Sequence, residues 1–411
     1  MKAGTFKISW RNIGRNKKRT ALALLAIAVG QFALLATNSI MRGYSDNIRL
    51  AITGPMIGHV QVHEPNWTEE RAIDLYLEDV DEMITEIQKD ESVDSAAARL
   101  YAPVLVAPQE EAFIASVVGI QVETESKAYG LLSGFDRKLE KRKVLIGHRL
   151  AKKINAKPGQ EIALIGQASD GSLANDLYVI QDIIKCPVDL INQSGIVMLL
   201  EDAQELFVMP NEAHEIVIRN KIAGQSEAVA ERLRKLPILN NTEIKPWQEI
   251  VPELVLILKY SDYTGYFVLF IIFFAAIAGI ANTLMMSTFE RFHEFGMLLA
   301  LGSSPYRLVR MIIFEAVLIG LIGVLLGTVF GFAFVAATSN TGIDMASWGG
   351  NGGQAGDMGY MGLNLPLFIY PRIAGFDIII GLVTVLFTSL VACVWPAWVA
   401  GKLEPMEAMR A

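Results

Sequence analysis

Cysteine is nearly absent from this chain: two residues in 411. A disulfide framework is therefore excluded. Cys186 lies in a long charged segment and Cys393 in a long apolar run, so the two are not expected to pair within the chain. Cys186 reads as a buried free thiol, with an intermolecular bond left open. The sequence also lacks G-x-x-x-x-G-K-[ST]; Gly401-Lys402-Leu403 is only a fragment of it. Without that loop the chain has no P-loop cradle for ATP phosphates. HExxH, GxSxG and CxxC are missing too. His59 and His63 stand four apart in an alternating Gly-His-Val-Gln-Val-His stretch. On a strand their side chains would be about 13 Å apart, too far for one metal ion. A helix would bring them together, but Gly58 and Pro65 argue against one. No catalytic residue, metal site or bound cofactor is expected.

What the chain has in quantity is apolar sequence. Hydrophobic residues make up 52% and the mean hydropathy is positive, which is high for a soluble protein of this length. They gather in four runs of about 20 residues or more, each able to cross a ~30 Å hydrocarbon core at ~1.5 Å per residue. The predicted fold class is an α-helical membrane protein with four transmembrane helices, plus an α+β domain inserted between helices 1 and 2.

Residues 1–19 carry Lys2, Lys7, Arg11, Arg15, Lys17, Lys18 and Arg19 and no acid. A first span follows over 20–41, and residues 6–16 have the pattern of an amphipathic lead-in. A signal peptide would have a shorter apolar core and a better cleavage site than Ala36-Thr37-Asn38. Residues 42–261 contain no spanning run and carry 23 Lys/Arg against 34 Asp/Glu, while the remainder of the chain is net positive. That asymmetry predicts an extracytoplasmic domain with both termini in the cytoplasm. The acidic balance also argues against nucleic acid as a partner. Alternating strands are expected at Gly58–His63, Phe113–Ile120, Glu161–Ile165, Leu177–Ile184 and Ile196–Leu200, with a helix over Glu78–Lys89.

Spans two to four are placed at 262–286, 308–337 and 376–399. Gly323, Gly327 and Gly331 repeat every fourth residue on one face of the third span, a spacing that lets helix backbones approach. Glu315, about two turns into that span, needs a partner because an intramembrane carboxylate is costly. Arg310 and Asn282, the latter itself expected as an intramembrane polar residue packed between helices, are the candidates, and a proton relay is the alternative role. Residues 338–375 form an extracytoplasmic loop containing the glycine-rich Gly349–Gly362, where Met358 and Met361 could offer an adaptable apolar contact. A cytoplasmic tail covers 400–411.

Between spans two and three, residues 287–307 turn polar and then amphipathic. By periodicity alone this could be an ordinary interfacial loop. Its residues Asn282, Ser287, Glu290, Arg291, Glu294, Phe295, Gly296, Leu298, Ala300, Leu301 and Gly302 match N-x-x-x-x-x-S-x-x-E-R-x-x-E-[FIV]-G-x-L-x-A-[LI]-G. This pattern resembles the FtsX-like/MacB-like permease family of ABC transporters. The entrance Ile8–Gly30, the segment Val144–Ile162 and the exit Pro396–Arg410 resemble other parts of the same family.

The resemblance implies that this connector is a coupling helix docking on a separate ABC-type ATPase dimer, with ATP and Mg on that partner. Glu290, Arg291 and Glu294 would make polar contacts there. Phe295, Met297, Leu298 and Leu299 would fill its groove, and Gly296 and Gly302 would permit close approach and helix termination. It further implies a MacB-like periplasmic core domain with a porter-like part and an insertion near 100–215. A second permease copy or paralogue, a location in the bacterial inner membrane and a non-catalytic role in mechanotransmission follow from it. In layout the chain is most similar to lipoprotein-releasing (Lol-type) permeases, which hand lipoproteins to a periplasmic carrier. Export of a drug, peptide or lipid with a periplasmic adaptor, and regulation of a cell-wall hydrolase, are the alternatives the family offers.

Overall fold

A computed structural model describes residues 17–402, apart from 109–110, 126–129, 133–134, 136, 187, 345–358, 361–362 and 365–367. The lead-in at 6–16, the end of the tail motif beyond Lys402, Met358 and Met361 all lie outside the described residues. The chain divides into two compact units: a helical one, and one made of residues 46–257 with 346–367.

Four helices of the described chain are long and apolar enough to cross a membrane. They are α1 (Lys17–Ile52), α8 (Pro252–Glu290), α10 (Pro305–Thr338) and α11 (Gly375–Gly401), with the short α9 (Phe292–Ala300) between α8 and α10. Two of them outrun the spans expected from hydropathy. α1 continues past Met41 to Ile52, and α8 begins ten residues ahead of 262. The apolar run measures only the hydrocarbon depth, whereas the backbone ladder propagates through polar residues once a helix is nucleated.

The helical unit is held by interdigitation of Ala23 and Ile27 (α1), Ile280 and Leu284 (α8), Phe295 (α9), Leu308, Ile312 and Ile319 (α10), and Ala392 and Ala397 (α11). The glycine series of α10 lies on α1. A Cβ placed on Gly323 would come within 2.6 Å of Ile27 Cγ2, on Gly327 within 2.5 Å of the Ala28 carbonyl, and on Gly331 within 2.8 Å of Leu35 Cδ1. Ile27, Gln31 and Leu35 are themselves four apart, so ridge meets ridge along two turns. Asp377, in the first turn of α11, accepts the Ala374 N–H at 3.0 Å and pairs with Arg42 of α1 at 2.8 Å. A carboxylate there complements the helix dipole.

The second unit is built on a nine-stranded mixed sheet. Its spine is β2 (Val93–Ala107). β2, β3 (Phe113–Ile120), β7 (Gly195–Leu199), β4 (Lys143–Gly147), β6 (Leu173–Ile184) and β5 (Glu161–Gln167) pair in that order, and β5 pairs back to β2. The six strands close a ring and so leave no free edge among themselves. On the edge of β2 that β5 uses from Val104 onward, its first half instead pairs with β8 (Glu215–Asn220), which continues to β1 (Val60–His63) and β9 (Glu243–Pro246). Pro103, which has no N–H to donate, sits where β2 changes partner on that edge. Helices α2 (Val80–Ile87) and α7 (Ser226–Leu233) cover one face of the β2-β8-β1 part.

Three histidines in this part are held largely neutral: His63 and His214 are fully buried and His59 is half-buried. His214 stacks on Trp67 (centroids 5.8 Å apart), and its Nδ1 accepts the Tyr101 N–H at 3.0 Å. His59 Nδ1 accepts the Asn220 N–H at 2.8 Å, and His63 Nδ1 lies 3.3 Å from Glu243 Oε2. Burial, the largest influence on each, lowers their pKa values to about 4.

Candidate functional site

The polar turn between α8 and α10 is where helix geometry breaks. α8 stops at Glu290, Arg291 leaves helical geometry (φ −107°, ψ 9°), and α9 restarts at Phe292. The chain stays compact through this break because the Arg291 N–H donates to Thr288 O at 3.1 Å and the Phe295 N–H to Arg291 O at 2.9 Å. α9 ends in a Schellman motif. The Ser303 N–H donates to Leu298 O at 3.0 Å and the Gly302 N–H to Leu299 O at 2.9 Å, with Gly302 at φ +83°. Only glycine adopts that conformation without a Cβ penalty.

The two sides of the connector have different chemistry. Facing the bundle, Phe295 is fully buried and Gly296 is buried, with Phe292 and Leu299 packed against the same cluster. Arg291 also turns inward: its Nη1 pairs with Glu315 Oε2 of α10 at 3.0 Å, its Nε lies 3.5 Å from Glu294 Oε2, and its guanidinium sits 5.0 Å from the Phe295 ring centroid. Facing outward are Phe289, Met297, Leu298 and, most exposed at 84%, Leu301, with Glu290 and His293 among them.

This geometry corrects four of the expectations. Arg291 and Phe295 are committed to the bundle, so neither forms part of the exposed face; a fully buried aromatic ring cannot fill a partner's groove. Glu315 pairs with Arg291 and not with Arg310 or Asn282. Residues five apart on a helix point about 140° away from each other, and Arg310 stacks instead on Phe314 at 5.4 Å. Asn282 is exposed on α8 and so does not pack in the helical unit. The remaining residues sort by face: Glu290, Met297 and Leu298 outward, Glu294 partly buried, and Leu299 against the core. Leu301, Phe289 and His293 were missed as surface residues. Their signal was the helical period itself, since Met297 and Leu301 are four apart, opposite the buried Phe295.

Among the described residues no cluster of three or more His, Cys, Asp or Glu could hold a metal ion. What the site does offer is a short, capped, apolar outward face rigidly tied by one ion pair to a membrane helix.

Two family models match the chain. The MacB-like periplasmic core domain covers residues 20–236, and the FtsX-like permease C-terminal domain covers residues 266–405. The ABC transporter permease YtrF of Bacillus subtilis (strain 168) is 30% identical over 132 residues, which is 32% of this chain and 28% of that protein. Among solved structures, the periplasmic region of MacB from Actinobacillus actinomycetemcomitans aligns over 48% of this chain and 94% of its own, at 11% identity and a TM-score of 0.34. The extracellular domain of the noncanonic ABC-type transporter YknZ from Gram-positive bacteria aligns over 43% and 92%, at 13% identity and a TM-score of 0.31. With a core-domain match over more than half its length and a permease match over its C-terminal helices, the chain belongs to the family of FtsX-like, MacB-like permeases.

Proposed function

We propose that this protein is the non-catalytic membrane subunit of an ABC transporter, driven by a separate ATPase through the 289–302 connector. The observation that carries this reading is the two-sided connector. Its outward apolar face is available for docking, while Arg291–Glu315 and buried Phe295 fix its inner face to α10 and the bundle core. A partner that pushes on Met297, Leu298 and Leu301 would pass the displacement to α10 through the Schellman turn and the Arg291–Glu315 pair. The name of the Bacillus relative, an ABC transporter permease, points the same way.

In this reading ATP and Mg sit on the partner, and two permease chains accompany an ATPase dimer, since closed two-fold pairs are the usual assembly. The inserted domain faces away from the cytoplasm, in keeping with its acidic balance and the basic remainder of the chain. For the cargo we propose a lipid-anchored protein released from the membrane, following the layout of four spans around one large inserted domain.

The test is purification of the full-length protein from its native membrane in mild detergent, with identification of what accompanies it. An ABC ATPase that co-purifies, and is lost from Leu301→Glu, supports the docking face. Acylated lipoprotein in the same complex supports release as the activity. An adaptor with an outer-membrane channel would replace that cargo by an exported one, and a cell-wall hydrolase would make the chain a regulator. If no ATPase is recovered from the unmodified protein, the proposal fails.

A further inference from the structure

The end of α1 is anchored in the inserted domain by a buried ionic joint. After Ile52 the helix closes with a π-turn, Thr53–Ile57, of which Thr53, Gly54, Pro55 and Ile57 are buried. The last carbonyls of a helix have no partner within it. Here they are met by two arginines of the sheet. Arg219 donates to Gly54 O (Nη2 at 3.2 Å), while Arg99 donates to Pro55 O (Nη2 at 3.0 Å) and to Met56 O. Cations at a helix C-terminus are favoured by its dipole as well.

The two arginines are placed by register. Arg99 of β2 lies opposite Glu215 of β8, and Arg219 lies four residues along β8, so all three share one face of the sheet. Glu125, from the short helix α3 (Val122–Glu125) that follows ring strand β3, bridges them. Its Oε1 accepts from Arg99 Nε at 2.7 Å, and its Oε2 accepts from Arg219 Nη2 at 2.9 Å and from the Leu131 N–H at 3.0 Å. Tyr101 donates to Glu215 at 2.7 Å. Arg99 and Glu125 are fully buried, and Glu215 and Arg219 nearly so. Immediately beyond the joint, Gly58 (φ +71°) turns the chain into β1, so close to β8 that a Cβ there would meet Val217 Cγ1 at 2.4 Å.

Two guanidinium groups and two carboxylates thus tie three pieces together: the end of the membrane helix, the β2-β8 pair, and the helix leading out of ring strand β3. Burying that many charges contributes little net stability compared with apolar packing, but it fixes geometry because Arg99 and Arg219 each bond both Glu125 and a carbonyl at the helix end. We propose that Arg99, Arg219 and Glu125 are positioning residues for transport, forming the joint through which movement of α1 is delivered to the inserted domain. The proposal rests on the mechanotransmission reading given above.

The test uses the full-length protein with its co-purified ATPase in lipid nanodiscs, followed by hydrogen exchange. In Arg219→Gln, the amides of Thr53, Gly54, Met56 and Ile57 should exchange about tenfold faster or more, with the ring strands unchanged. Arg219→Lys, which keeps the charge, should lie between the variant and the unmodified protein. Addition of ATP and vanadate should alter exchange in the inserted domain of the unmodified complex but not of Arg219→Gln, although that variant keeps its ATPase and its rate of hydrolysis. Unaltered exchange at 53–57 in Arg219→Gln, or an ATP response equal to that of the unmodified complex, overturns the joint. An unmodified complex that shows no ATP response overturns the mechanotransmission reading and the delivery role with it, while the exchange at 53–57 still decides whether the joint exists.

Discussion

Arg291 on the connector and Glu315, nearly three turns into α10, form an ion pair 3.0 Å long, with side chains only 13% and 9% exposed. They are 24 residues apart in sequence, and the pair closes the turn between two membrane helices. Breaking one partner of such a pair leaves a stranded charge, at a typical cost of about 3–5 kcal/mol. Glu315→Ala should therefore lower thermal stability in detergent markedly. The double change Arg291→Met/Glu315→Met should recover most of the loss, since neither charge then remains to be buried. A double-mutant cycle on the melting temperature measures this directly. Additive losses would mean that the two side chains do not interact.

The connector's two faces should respond differently to substitution. Phe295→Ala empties a buried ring site and should cost roughly 3–5 kcal/mol of stability. Leu301→Glu changes a residue that is 84% exposed, so stability should move by less than about 0.5 kcal/mol, and only ATPase recovery should fall. Melting curves and co-purification, read together on both variants, separate the faces. An unstable Leu301→Glu would place that residue in the core.

Much of this was legible in the sequence, and the exceptions have physical causes. Hydropathy located four spans but not the lengths of α1 and α8, because the polar residues beyond Met41 and before 262 continue a helix that no apolar run marks. Strand β2 was not anticipated: Ala96, Ala97 and Ala98 carry no β-signal, and the alternation of Leu100, Ala102, Val104 and Val106 is interrupted by Pro103. The connector could be found by its motif, yet the motif cannot tell inward from outward residues. Only the break at Arg291 fixes the phase of α9, and with it the burial of Phe295 and the partner of Glu315.

The glycine face of α10 gives a steric prediction. A Cβ at Gly327 would lie 2.5 Å from the Ala28 carbonyl and 2.6 Å from Gln31 Cβ. The carbonyl is backbone and cannot swing aside, so α1 and α10 must separate. Gly327→Leu should cost about 1–3 kcal/mol or more, seen as lower yield and a lower melting temperature in detergent. Gly171, in an exposed turn with no atom within 4 Å of an added Cβ, provides a contrast through Gly171→Ala. Its φ of +83° carries strain but no clash, so the expected loss is about 1–2 kcal/mol. Equal tolerance of leucine at Gly327 would mean that the two helices do not meet there.

The inserted domain should weaken in acid through His59, His63 and His214. Each is held near a pKa of about 4 by burial, below its ordinary 6.5. The unfolded chain therefore binds these protons first. Their neutral-state stability is complete above about pH 6.5, is lost as pH falls toward 4, and levels off below that. A shift of this size corresponds to roughly 3 kcal/mol per histidine at the acid limit. His214 has a specific reason to resist: its Nδ1 already accepts the Tyr101 N–H, and its Nε2 lies 3.1 Å from Ile73 O. A proton on Nδ1 would turn that acceptor into a second donor facing an N–H. Urea unfolding of the full-length protein at pH 7, 5.5 and 4.5 should show a midpoint that falls with pH, and His214→Gln should flatten the fall by about a third. A midpoint independent of pH over this range would show that the three imidazoles titrate alike in the folded and unfolded chain, contrary to their burial.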